Sequence, residues 1–175
     1  MKIIISGAYT IGSYLARLLS RNKQDIVLMD ECSENLEKIS NEADLLTMEG
    51  STTSIKNLKE AGAEDADLFI AVTPDESKNI AACVLAHQLG TKKTVARVDN
   101  PEYVEPSNQE LFHQMGVSSI IYPELLAAKD IINGLKMSWV RQRWDVHDGA
   151  LVMLGIKLQE SCEILDRPLK EISGP

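Results

Sequence analysis

The chain has 175 residues, 44% of them apolar and 25% charged, enough for one full core and a small appendage. Its net charge of -8 argues against nonspecific nucleic-acid binding, which needs a basic surface, and 5% aromatics leave little for stacking on single strands. No apolar run approaches the ~20 residues that cross a bilayer, and Ile3-Ile4-Ile5 is too short for a signal-peptide core, so a cytoplasmic chain without direct membrane insertion is expected.

From the N-terminus, Lys2–Ser6 reads as a buried parallel strand ended by Gly7, and Ile11, Leu15, Leu18 and Leu19 form the apolar stripe of a first helix. Asp25–Asp30 is a second strand, Ser33–Ser40 a helix with Leu36 and Ile39 on one side, and Asp44–Met48 a third strand. Ser54–Ala61 is a helix stopped by Gly62, and Asp67–Val72 is the strongest strand of the set. Next, Thr73 reads as a cap, Pro74 as the first helical residue and Glu76 as the partner in a capping box, opening a helix that ends at Gly90. Thr94–Val98 and Ser118–Ile121 are strands, Ser107–Met115 and Pro123–Lys136 helices. This alternation implies βαβ units, hence an α/β fold: a Rossmann-like, doubly wound parallel sheet with helices on both faces. The stretch Trp139–Trp144 reads either as a continuation of the last helix or as a linker that packs on a partner. Ala150–Leu158 looks like a strand of a new unit, and Leu165, Leu169 and Ile172 like one more turn or helix. The expected division is therefore a nucleotide-binding domain over 1–137, a linker or crossover over 138–147, and over 148–175 the truncated start of a second α+β domain, too short to bury its own core.

Gly7-Ala8-Tyr9-Thr10-Ile11-Gly12 lies where a dinucleotide fingerprint belongs, between first strand and first helix. Gly7 permits the tight turn, Gly12 lets helix and strand pack closely, and the helix N-terminus offers free N–H groups to a pyrophosphate. Tyr9 departs from the pattern: where a glycine lets the backbone approach the phosphates, its ring either narrows the approach or lies over the ligand. Asp30, eighteen residues after Gly12, ends the second strand, where a carboxylate accepts from ribose hydroxyls and repels a 2′-phosphate, favouring NAD over NADP. Gly50 and Ser51, Thr73, and Arg97 end further strands toward the same crevice. Arg97 suits a phosphate or a salt bridge to Asp99 or Glu102, Thr73 a helix cap before a ligand, and Asn79 the crevice or solvent. The cysteines (Cys32, Cys83, Cys162) form no C-x-x-C pair and His87, His113 and His147 have no ligand spacing, so no metal is expected. No G-x-S-x-G, H-E-x-x-H, P-loop lysine or acid-base dyad is present, and no catalytic residue is expected.

Several stretches together resemble a known family. Lys2–Ala8 with Gly12, Asp30 after Ile26-Val27-Leu28-Met29, Glu49-Gly50-Ser51, Leu58 with Ala61-Gly62-Ala63 and Ala66-Asp67, Ile70–Glu76 with Asn79, Ala96-Arg97-Val98 with Pro101-Glu102-Tyr103, and Tyr122-Pro123-Glu124 are similar to the N-terminal nucleotide-binding half of TrkA-type potassium uptake proteins, the RCK or KTN domains. The resemblance covers about residues 1–137; Tyr9 replaces the middle glycine, and Ser51 stands where family members usually carry Asp. It implies a regulatory subunit that binds NAD or NADH, with ADP or ATP as further ligands. It also implies a homodimer, assembling as a tetramer or ring of dimers at the inner face of the cell membrane, that gates a Trk-type potassium channel membrane subunit. A small NAD-dependent oxidoreductase and a nucleotide sensor for another transporter are the competing expectations.

Overall fold

A computed structural model describes residues 1–22, 24–40, 44–136, 140–146 and 150–158, with 162, 165 and 168 singly. The chain divides into two compact units, Met1–Pro123 and Glu124–Pro175.

The first unit is built on six described strands: β1 (Lys2–Ser6), β2 (Asp25–Asp30), β3 (Leu46–Glu49), β4 (Leu68–Ala71), β5 (Lys93–Arg97) and β6 (Ser119–Ile121). All pair in parallel in the order β3-β2-β1-β4-β5-β6. The helices between them are α1 (Thr10–Ser20), α2 (Ser33–Ser40), α3 (Ile55–Glu60), α4 (Glu76–Leu89) and α5 (Pro106–Gln114). Strand residues alternate between the two faces, and the two cores follow that period. Ile3, Ile5, Ile26, Leu28, Ile70 and Val72 pack with Ala16 of α1 and with Leu36 and Ile39 of α2. Ile4, Val27, Met29, Phe69 and Ala71 pack on the other face with Leu58 of α3, Ala82, Cys83 and Ala86 of α4, and Phe112 of α5. This is the doubly wound Rossmann-like fold the alternation implies. The chain runs from β1 through β2 to β3, then crosses back to place β4 on the other side of β1, so the switch in strand order lies between β1 and β4.

Some elements differ from their sequence expectation. The stripe foreseen on α1 included Ile11 and Leu18, but the face on the sheet is Gly12 and Ala16, flanked by Leu15 and Leu19, while Ile11 and Leu18 are exposed. Close approach at Gly12 selects the small residues for the sheet side and rotates the larger ones outward. The third strand begins at Leu46 rather than Asp44; it is an edge strand, and pairing with Val27 starts there. The opening of α4 is also different. Asp75, not Thr73, caps the helix, accepting from the N–H groups of Ser77 and Lys78 at 2.9 and 3.1 Å. Pro74 precedes that cap. Glu76 closes no capping box; its carboxylate accepts from the backbone of Asp99 and Asn100, at 2.9 Å each, and ties down the loop after β5.

In the second unit α6 runs over Pro123–Lys136, as expected, and two antiparallel strands follow, β7 (Val140–Val146) and β8 (Leu151–Ile156). Residues 138–147, expected as a linker or as more helix, thus contain a strand, because Val140–Val146 finds a hairpin partner that its own pattern does not announce. The strand expected over 150–158 is β8. Trp139, His147, Leu169 and Ile172 lie outside the described residues. Among the described residues no helix is long and apolar enough to cross a membrane, and no group of His, Cys, Asp and Glu is placed to hold a metal ion.

Candidate nucleotide-binding site

The switch point opens into a cavity of about 390 Å³ lined by Gly7, Tyr9, Asp30, Glu31, Cys32, Thr52, Thr73, Pro74, Asp75 and Lys78. That is within the range of small-ligand pockets, and it lies where parallel α/β sheets place their ligands, outside the carboxyl ends of the strands.

Gly7 leaves β1 with φ +104°, a conformation that suits glycine, and a β-carbon there would stand 2.9 Å from the Thr73 nitrogen. Gly12 has no unusual φ, yet a β-carbon on it would run into the Gly7 carbonyl oxygen and touch Val72. So Gly12 serves the close crossing of α1 over the end of β1, and Gly7 the close approach of that strand end to Thr73 after β4. Thr10 and Ile11 form the first turn of α1, Tyr9 is its N-cap residue, and no side chain caps the helix; no acid lies in its first turn. The α1 N-terminus thereby keeps N–H donors and partial positive charge directed at the cavity end of the fold. Tyr9 is exposed and lines the cavity wall.

Asp30 is buried at the end of β2. One carboxylate oxygen accepts from the Ala8 N–H at 2.6 Å, the other from the Cys32 N–H at 2.8 Å. It therefore pins the glycine loop to the turn after β2. A carboxylate has about four acceptor positions, so two remain for ribose hydroxyls. Gly50 donates its N–H to the Asp30 carbonyl at 2.9 Å and packs on Asn57, and the Ser51 hydroxyl lies 3.2 Å from that of Thr53. These two sit beside the cavity rather than on its wall, where Thr52 stands instead.

Thr73 lines the cavity, but its polar atoms are committed to Asn79. That side chain is almost completely buried, its Oδ1 accepting from the Thr73 N–H and hydroxyl at 2.9 and 2.7 Å. Its Nδ2 donates to the carbonyls of Thr73 and Arg97, both at 2.9 Å. Asn79 is shielded from solvent and is not on the cavity wall; it latches the ends of β4 and β5 together. Arg97 pairs with Asp99 at 2.6 Å and donates to the Thr73 carbonyl at 3.3 Å, and it is not on the cavity wall.

A family model for the TrkA-N domain matches residues 3–123. The chain belongs to the TrkA-N domain family. Over 176 aligned residues, 100% of the chain, it is 35% identical to the Trk system potassium uptake protein TrkA homolog of Archaeoglobus fulgidus. It spans 39% of that relative's length, and from 29% to 57% of three further TrkA relatives. Among solved structures, the TrkA-N domain of the inner membrane protein ybaL from Escherichia coli is similar, with TM-score 0.67 and 15% identity, covering 77% of this chain and 96% of that one. The GsuK channel bound to NAD is similar with TM-score 0.58 and 19% identity, covering 69% of this chain and 21% of that one. At those identities the likeness is one of fold.

In this TrkA-N domain the cavity also gathers residues that sequence reasoning passed over: Glu31, Cys32, Thr52, Pro74, Asp75 and Lys78. Most stand one or two positions beyond a residue already singled out, Glu31 and Cys32 after Asp30, Thr52 after Ser51, Pro74 and Asp75 after Thr73. The available signal was the strand ends themselves, followed into their loops. Lys78 needed more, since only the orientation of the first turn of α4 brings it to the wall.

Proposed function

We propose that this TrkA-N domain is a nucleotide sensor that binds NAD, NADH or an adenine nucleotide at the β1–β4 switch point. We propose further that it serves as the regulatory part of a Trk-type potassium uptake system. The observation that carries the reading is the single cavity wall shared by the Gly7 turn, the buried Asp30 carboxylate and Thr73, next to a helix N-terminus that no side chain caps. The adenosine ribose would be held by Asp30, the phosphates by the N–H groups of residues 10–12, and the rest of the ligand along Thr73 and Pro74. Gly50, Ser51, Asn79 and Arg97 support the walls. The role is binding, not catalysis: bound nucleotides of different shape favour different arrangements of the assembled subunits, and the channel responds by the difference in affinity between those arrangements. A Trk-type membrane subunit is the proposed partner, with the chain at the cytoplasmic face as a homodimer within a larger ring. Residues from 148 onward are proposed to begin the C-terminal domain of such a subunit.

Calorimetric titration with NAD, NADH, ADP, ATP and NADPH tests the reading. Saturable binding of at least one of the first four is expected, with NADPH weakest because its 2′-phosphate meets Asp30 and Glu31. No saturable heat with any nucleotide, or tightest binding for NADPH, would overturn it.

A further inference from the structure

Around this cavity acids outnumber bases. Among the described residues that line it, Asp30, Glu31 and Asp75 are carboxylates and Lys78 is the one cation. Two of the acids are engaged by backbone, Asp30 by the N–H groups of Ala8 and Cys32, and Asp75 by those of Ser77 and Lys78. Glu31 instead holds the Lys78 ammonium, Nζ lying 3.0 Å from Oε2. The pair joins the loop after β2 to the first turn of α4, and both residues line the cavity. The side chains are 44% and 49% exposed, and an exposed pair of this kind holds weakly. The Ser51 hydroxyl and, after it, the Lys78 ammonium hold the Glu31 carboxyl below the usual carboxylate range. The Glu31 side chain is half exposed, so water can solvate its carboxylate when Lys78 leaves. A phosphorylated nucleoside entering this acidic wall needs a counter-charge, and Lys78 is long, flexible and already beside the cavity.

Resting on the nucleotide site proposed above, we propose that Lys78 is a phosphate-binding residue of this domain and that Glu31 competes for it, the Glu31–Lys78 pair exchanging for a Lys78–phosphate pair when a nucleoside polyphosphate binds. The pair sets preference by ligand charge: adenosine gains nothing from it, ADP and NAD do.

The test is calorimetric titration of the 175-residue chain with adenosine, ADP and NAD, comparing the native chain with Lys78→Met, Lys78→Arg, Glu31→Gln and the double variant Glu31→Gln/Lys78→Met. Lys78→Met should weaken ADP by roughly five- to thirtyfold while adenosine stays within about twofold, and Lys78→Arg should retain most of the ADP affinity. Glu31→Gln should strengthen ADP by roughly two- to fivefold, and that gain should shrink once Lys78 is methionine. Both positions are half exposed, so unfolding temperatures should match the native chain. Unchanged ADP affinity in Lys78→Met, an equal loss for adenosine and ADP, or an undiminished Glu31→Gln gain in the double variant each overturns the exchange and leaves the nucleotide site standing. If neither ADP nor NAD binds the native chain, the site and the exchange fall together.

Discussion

At Asp30 one carboxylate holds the glycine loop and, in the site proposed above, would also receive a ribose. The hydrogen bonds to Ala8 and Cys32 separate those duties in an experiment. Asp30→Asn keeps the size but turns one acceptor into a donor facing a backbone N–H. It should cost about 1–3 kcal/mol of stability in urea unfolding and weaken ribonucleotides roughly tenfold or more in the same titrations. A variant as stable as the native chain and equally tight for NAD and ADP would show that the carboxylate has neither duty. Gly12 is the second residue whose role is now geometric. Gly12→Val puts a branched side chain against the Gly7 carbonyl, so both the melting temperature and nucleotide affinity should fall, although helix propensity alone would mildly favour the replacement. Normal melting together with normal binding would deny the close contact.

Among the elements, the junction of β4 with α4 shows where sequence patterns stop being sufficient. Glycine, proline and acid punctuation places the start of α4 to within a few residues. Which side chain caps it depends on the path of the chain into the helix, and that path is set by Asn79 holding Thr73 from behind. A capping-box pattern was present in Thr73 and Glu76, yet Glu76 found better donors in Asp99 and Asn100, residues brought near by the packing of β5 beside β4. The Asn79 latch makes a sharp prediction. Its amide satisfies four groups of Thr73 and Arg97, so Asn79→Ala should cost roughly 2–4 kcal/mol, because buried donors and acceptors lose partners that water cannot replace. Urea unfolding monitored by circular dichroism measures it, and a loss under about 1 kcal/mol would mean that the latch is not structural.

Over the whole molecule, the first unit closes its core on both faces of the sheet, and the second leaves apolar side chains in water. On α6, Ile131 is 64% and Leu135 78% exposed, and Trp144, Leu151 and Met153 of the β7–β8 hairpin are exposed too. Exposed apolar side chains on both elements, a tryptophan among them, are what a subunit interface would use. The chain should therefore sediment at twice its 19.3 kDa at micromolar concentration, and Trp144→Ala should weaken the dimer while leaving nucleotide affinity nearly intact. A monomer at that concentration would reject the interface. The same test applies to Trp139, which the sequence singles out and which lies outside the described residues.

Local chemistry alone determined the number and order of strands and helices in the first unit, because buried parallel strands need continuous apolar runs and turns need their glycines. It also marked Gly7, Gly12 and Asp30, whose residue types are demanded by a turn, a close crossing and a strand-end acceptor. What only the tertiary structure decided is which side chains share the cavity. Lys78, Glu31 and Thr52 reach one wall because β3, β2, β1 and β4 end side by side, and no spacing along the chain encodes that convergence. Asn79 and Arg97 stand off the cavity wall, because carbonyls and a carboxylate from neighbouring strand ends and loops engage their hydrogen-bonding groups. The same holds for the stripe on α1 and the strand at Val140–Val146. In each case the deciding partner is distant in sequence, and burial or pairing with it outweighed the local pattern.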